Sequence, residues 1–151
     1  MTDLSTKSQL DDLIALLQQR NQIDRLISQL IGRPATSGHL GEYIAATVFD
    51  IALHRSATTK ASDGVFRSGS LIGETVNIKL YGKREAFLDI VSSPDPAEHP
   101  HYYLAMTGPR GKGSTSRGGI LKLAIDEVYL FDADELVTDQ VRRNVKLGIA
   151  S

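Results

Sequence analysis

The sequence predicts an α/β (α+β) domain, one sheet packed against helices, preceded by a long N-terminal helix. Three observations predict it. Residues 8–31 carry Leu10, Leu13, Ile14, Leu17, Ile23, Leu26, Ile27, Leu30 and Ile31 at three- and four-residue steps, the period of one helical face. Residues 74–131 hold short apolar stretches instead, among them "TVNIKLY", "AFLDIV" and "HYYLAMT", separated by turn-rich segments, the pattern of strands. At 151 residues the chain is long enough for one domain with a real core.

Taken in order, the first helix has Ser8 with Asp11 three residues on as its cap signal, and Gly32 followed by Pro34 as its stop. Its stripe reads as packing or homodimerisation, so residues 1–32 form a separate helical unit and 33–151 the domain proper. A second helix is expected at 38–54, "GHLGEYIAATVFDIAL", with Leu40, Ile44, Val48 and Ile51 or Ala52 on its apolar face. Residues 55–72 are rich in Ser, Thr and Gly and read as a loop or short hairpin. Strands follow at 74–81, 86–91 and 101–107. "SSPDPAEHP" is a turn, its prolines excluding regular structure. "GPRGKGSTSRGG" is a loop, 123–131 a strand, 132–144 a helix capped by Asp132, and "VKLGIAS" a last short strand. The order reads as helices, an antiparallel meander, then helix and strand.

Composition narrows the function. There is no cysteine, which excludes disulfides, thiolate metal sites and cysteine nucleophiles. No apolar run approaches the roughly 18 residues that span a bilayer, and the N-terminus lacks a signal-peptide pattern, so a cytoplasmic protein with no membrane partner is expected. Net charge is −1, against binding nucleic acid by global basicity. The charge is uneven, however. Residues 55–124 hold ten Lys/Arg against six Asp/Glu, whereas 1–54 hold four against six and 125–151 three against six.

That local excess surrounds the strand "TVNIKLY". Side chains alternate along a strand, so Asn77 and Lys79 share one face, while Val76, Ile78 and Leu80 share the other. Upstream, "SDGVF" sets Asp63 beside Gly64 at the edge of the preceding hairpin or strand. Each residue has an ordinary reading. Lys79 is a lysine whose stem lies on the sheet and whose head reaches water; Asp63 is the Asp of an Asp-Gly turn; Glu42 is a carboxylate near a helix N-terminus. The loop is no nucleotide P-loop, since Lys112 is followed by Gly113 and no helix pattern follows. Arg110, Lys112 and Arg117, with Lys83 and Arg84, suit contact with a nucleic-acid backbone or a solvated loop. The four histidines lack zinc-type spacing, and no Gly-x-Ser-x-Gly elbow occurs.

An acid, a gap, then a polar-x-Lys pair in an apolar strand resembles the PD-(D/E)XK (restriction-endonuclease-like) nuclease superfamily. The blocks "GHLGEYIAATVFDIAL", "DGVFRSG", "TVNIK", "YYLAMTGPRGK" and "VYLFDADEL…VKLGIAS" look like those of an uncharacterised bacterial family within it, over residues 33–151. The resemblance implies a mixed central sheet flanked by helices and a DNA-cleaving site dependent on Mg²⁺ (or Mn²⁺). It implies Asp63, Asn77, Lys79 and Glu42 as catalytic residues, with Asp63, Asn77, Glu42 and the Ile78 backbone carbonyl as metal ligands. Asn77 departs from the pattern, standing where an active nuclease carries Asp or Glu. An amide oxygen can ligate a hard cation but subtracts one negative charge. Three functions are therefore expected in order: a metal-dependent nuclease acting on DNA, a DNA-binding or assembly module that keeps the fold without cleavage, and an interaction protein dimerised by its first helix.

Overall fold

An unbroken helical period and a Gly-Pro stop make the first element. In the computed structural model, which describes residues 3–55, 61–81, 90, 91, 93, 95–108 and 123–145, helix α1 runs Asp3–Ile31. It begins ahead of Ser8, which is a helix-interior residue and not a cap, because nothing in "DLSTK" breaks a helix. Its end is as expected: Gly32 takes φ +69°, the left-handed conformation that closes helices. The Ser28 hydroxyl accepts from the Ala35 N–H at 3.0 Å, fixing the exit.

Helix α2 spans Ser37–Phe49 and stops short of the expected residue 54. Asp50 causes this. It adopts φ +53°, its carbonyl accepts from the Arg67 N–H at 2.9 Å, and its carboxylate lies 2.5 Å from the Arg67 guanidinium. Asp enters this region more readily than most residues, and the chain leaves it as strand β1, Ile51–Leu53. Ile51 and Ala52 are thus strand residues, not the end of a helical face.

Strand β2 is Gly64–Phe66, β3 Thr75–Tyr81, β4 Tyr102–Thr107 and β5 Glu127–Asp132; helix α3 is Ala133–Arg142. Asp132 caps α3 as expected, accepting from the N–H groups of Asp134 and Glu135, both at 3.0 Å. The proline-rich segment holds one turn of 3₁₀-helix, Pro96–Glu98. The expected strand at 86–91 is described only at Ile90 and Val91, and the expected final strand lies outside the described residues except Val145.

The sheet has five strands in the order β1-β2-β3-β4-β5. Pairs β1–β2, β2–β3 and β4–β5 are antiparallel, but β3–β4 is parallel, with Val76 opposite Tyr102 through to Tyr81 opposite Thr107. The sheet is therefore mixed, and the meander expected from element order is corrected at this pair. Parallel neighbours need a crossover of a dozen or more residues, and the stretch from 82 to 101 provides one.

One face of the sheet gathers Ile51, Phe66, Val76, Ile78, Leu104 and Met106 around Ala45, with Ile44, Ala46 and Phe49 of α2 packed on them. The other gathers Ile90, Tyr103 and Ala133, with Phe131, Leu136 and Val137. Ala45, Val76 and Tyr103 are 0% exposed, and each large apolar side chain so buried stabilises by about 1.5–3 kcal/mol. The Tyr103 hydroxyl is not wasted in this core, since it accepts from the Val91 N–H at 2.9 Å.

By compactness the chain divides into residues 1–40 and 41–151. The sheet, α3 and most of α2 belong to the second unit. Among the described residues no helix is long and apolar enough to cross a membrane.

Helix α2 lies close on the sheet at Gly41, where an added Cβ would lie 2.6 Å from the Leu80 Cβ. On an exposed helix Gly→Ala stabilises by about 1 kcal/mol. Here overpacking reverses the sign, and Gly41→Ala is expected to cost about 1–3 kcal/mol, read as a lower denaturant midpoint at unchanged slope. The Ser68 hydroxyl, and then the Arg67 guanidinium, hold the Asp50 carboxyl below its ordinary value. A depressed carboxylate stabilises above its unfolded pKa of about 3.9 and loses that contribution as pH falls through the folded value. In urea titrations below about pH 4, Arg67→Gln is expected to flatten this acid limb.

Candidate functional site

The site is built where β2 stops pairing with β3. Their register ends with Gly64 opposite Val76, while β3 runs on to Tyr81. One residue before β2, the backbone of Asp63 still bridges its neighbours: its N–H donates to Val76 O at 2.8 Å, and its carbonyl accepts from the His54 N–H at 2.9 Å. Beyond that the side chain takes over. Asp63 Oδ2 accepts from the Ile78 N–H at 2.6 Å, standing in for the carbonyl of a strand that has turned away. In a strand the N–H and C=O of one residue point the same way. The Ile78 carbonyl therefore also aims at the edge vacated by β2.

The turning-away is enforced at Ala61, which has φ +70°. A residue with a Cβ in this region stores about 1–3 kcal/mol of strain and persists only when its surroundings hold it. Asn77 is one such hold, its Nδ2 donating to Ala61 O at 3.1 Å. That bond also fixes the orientation of the amide, because a flip would set two oxygens against each other. Asn77 Oδ1 is then left buried with no hydrogen-bond partner.

Strand alternation puts Asn77 and Lys79 on the face opposite Val76, Ile78 and Leu80. There Asn77 lies beside Tyr103, and Lys79 beside Ala105, of β4. Lys79 is half-buried. Thr107, on that face at the far end of β4, is 7% exposed with an equally unpartnered Oγ1.

Of the residues named from sequence, Asp63, Asn77 and the Ile78 backbone are brought together, with Lys79 on the same strand. Glu42 is half-buried on α2, next to the Gly41 that rests on Leu80, and so on the helix packed against the Val76 and Ile78 face of the sheet, opposite the face of Asn77 and Lys79. Lys83, Arg84, Arg110, Lys112 and Arg117 lie outside the described residues. Their segments nevertheless start from one end of the sheet, for Tyr81 and Thr107 are paired and Gly108 N–H donates to Tyr81 O at 2.8 Å.

Sequence reasoning missed His54 and Ala61. His54 Nε2 is 2.9 Å from the Ser62 hydroxyl, and its backbone holds Asp63 as described above. Eight residues separate His54 and Ser62, and only the β1–β2 hairpin brings them together. A hairpin reading of residues 51–66 would have revealed the pair; nothing in the sequence marks Ala61 as left-handed.

Chemically, the cluster offers a carboxylate and an orphaned amide oxygen beside a strand edge. Among the described residues no three histidine, cysteine or carboxylate side chains gather as a metal-holding group. Asp63 has a structural duty whatever else it does. Asp63→Ala strands the Ile78 N–H and is expected to cost about 1–3 kcal/mol, whereas Asp63→Asn keeps an acceptor and is expected to cost less; chemical denaturation of the two variants checks this. No family model matches the chain, and no curated protein matches it.

Proposed function

We propose that the chain is a metal-dependent, nuclease-like protein that hydrolyses DNA phosphodiester bonds on a restriction-endonuclease-like core. The observation carrying this reading is the buried, unpartnered Asn77 Oδ1 next to the splice held by Asp63. A buried polar atom without a partner costs free energy, and a hard oxygen-seeking cation such as Mg²⁺ or Mn²⁺ would satisfy it. The mixed sheet with helices packed on both faces is the architecture such a site requires, which is support at the level of fold class alone.

In this reading Asp63, Asn77 and the Ile78 carbonyl hold the cation, and Glu42, on the helix against the other face of the sheet from Asn77 and Lys79, is not among the ligands. The cation supplies electrostatic stabilisation of the charge that develops on the phosphoryl group. Lys79 orients the attacking water or neutralises the developing oxyanion. Lys83, Arg84, Arg110, Lys112 and Arg117 meet phosphates of the DNA backbone, which positions the duplex without reading its sequence.

A second reading has its own support. Asp63 Oδ2 is occupied by the Ile78 N–H, and Asn77 is neutral, so the residues also suit a nuclease-fold module that binds DNA or assembles on it without cutting.

Asn77→Asp separates the two. If a cation sits there, the added carboxylate lowers stability without metal by like-charge repulsion with Asp63. Millimolar Mg²⁺ restores it, by about 2.7 kcal/mol at a hundred times the dissociation constant. Thermal unfolding with and without Mg²⁺ reads this directly, and nicking of plasmid DNA is expected to rise in the same variant and to vanish in Lys79→Ala. Intact plasmid in Mg²⁺ and Mn²⁺, together with an unfolding temperature that ignores both ions, sinks the nuclease reading and leaves the binding module.

A further inference from the structure

The N-terminal unit presents an apolar seam that is exposed along most of its length among the described residues. Leu13, Leu16, Arg20, Ile23, Ile27 and Leu30 succeed one another at steps of three, four, three, four and three. This is the 3.5-residue repeat that supercoils a helix left-handedly around a partner. Leu16 is 61% and Leu30 73% exposed, and Leu13 and Ile23 are also exposed. So large an apolar stripe is unusual on a monomeric surface.

We infer that α1 pairs with α1 of a second copy of this chain, antiparallel, centred between Asn21 and Gln22. Charge selects both occupant and direction. Residues 8–19 carry Asp11 and Asp12 and no basic residue, whereas 20–33 carry Arg20, Arg25 and Arg33 against Asp24. The acidic half of one helix complements the basic half of an identical helix running the other way. In the antiparallel register Leu13 meets Leu30 of the second copy, Leu16 meets Ile27, and Arg20 meets Ile23, so every seam layer has at least one apolar member. Asp11 and Asp12 then approach Arg33 of the second copy. A parallel in-register pair would instead stack Arg20 on Arg20 inside the seam and Asp11 and Asp12 on their own counterparts, which repels. Arg20 has Asp24 of its own helix at 3.9 Å, which keeps its charge matched at the seam's margin when its stem packs on Ile23 of the second copy.

The full-length chain carries the test. Sedimentation equilibrium is expected to show a dimer that Leu16→Asp with Ile23→Asp weakens by at least about a hundredfold, while the unfolding transition of residues 41–151 stays in place. Arg20→Leu is expected to tighten the dimer about tenfold, since a charged seam position costs stability. Direction is read by cysteines, of which the protein has none. When Leu13→Cys and Leu30→Cys chains are mixed and oxidised, the mixed disulfide is expected to dominate. A Leu13→Cys chain that crosslinks to itself instead overturns the antiparallel pairing. A chain that remains monomeric at every concentration reached, or a double-Asp variant that dimerises like the parent, overturns the self-pairing altogether.

Discussion

The parallel pairing of β3 with β4 is the constraint on which the rest of the domain depends. Six residues of β3 pair with six of β4, both strands interior to the sheet, β4 buried on both faces and β3 on the face of Val76 and Ile78. Parallel pairing forces the chain to cross from Tyr81 back to the start of β4. It also sends the segments after both strands out from one end of the sheet. Open sheets place ligands at the carboxyl ends of parallel strands. The segments that follow Tyr81 and Thr107 therefore start from a place set by topology rather than by local propensity.

Most elements were legible because their signals are local. The α1 stripe, the Gly32 stop, the Asp132 cap and the alternation in "TVNIKLY" each act within a few residues, and the structure honours them. The failures share the opposite property. Ser8 carries a sound capping signal, but helix formation upstream outcompetes it. Asp50 ends α2 only because Arg67, across the β1–β2 pair, receives its carbonyl and carboxylate. The direction of β4 relative to β3 is a matter of connection length, which a reading of turn residues alone leaves open. At the site, alternation correctly paired Asn77 with Lys79. Ala61 stayed hidden because its left-handed backbone is imposed by neighbours rather than by its own side chain.

Asp63 and Asn77 show how one pair of side chains can be structural and still be available for chemistry. Each completes a hydrogen bond that a continuing β2 strand would have made, so both positions are constrained by the sheet before any ligand is considered. The orphaned Asn77 oxygen is what remains after that duty is met. An aspartate in its place would keep the acceptor but lose the Nδ2–H donated to Ala61. The asparagine at this position is therefore tied to the local backbone.

The three-residue length of β1 and β2 has a mechanical consequence. Asn77, Ile78 and Lys79 ride on the middle strand of the sheet, while Asp63 and Ala61 ride on a brief hairpin at its margin. Local opening draws on segments with few buried contacts, so the two sides of the Asp63–Asn77 cluster differ in stiffness. The cluster therefore joins one fixed part to one compliant part. The strain kept at Ala61 is the spring between them.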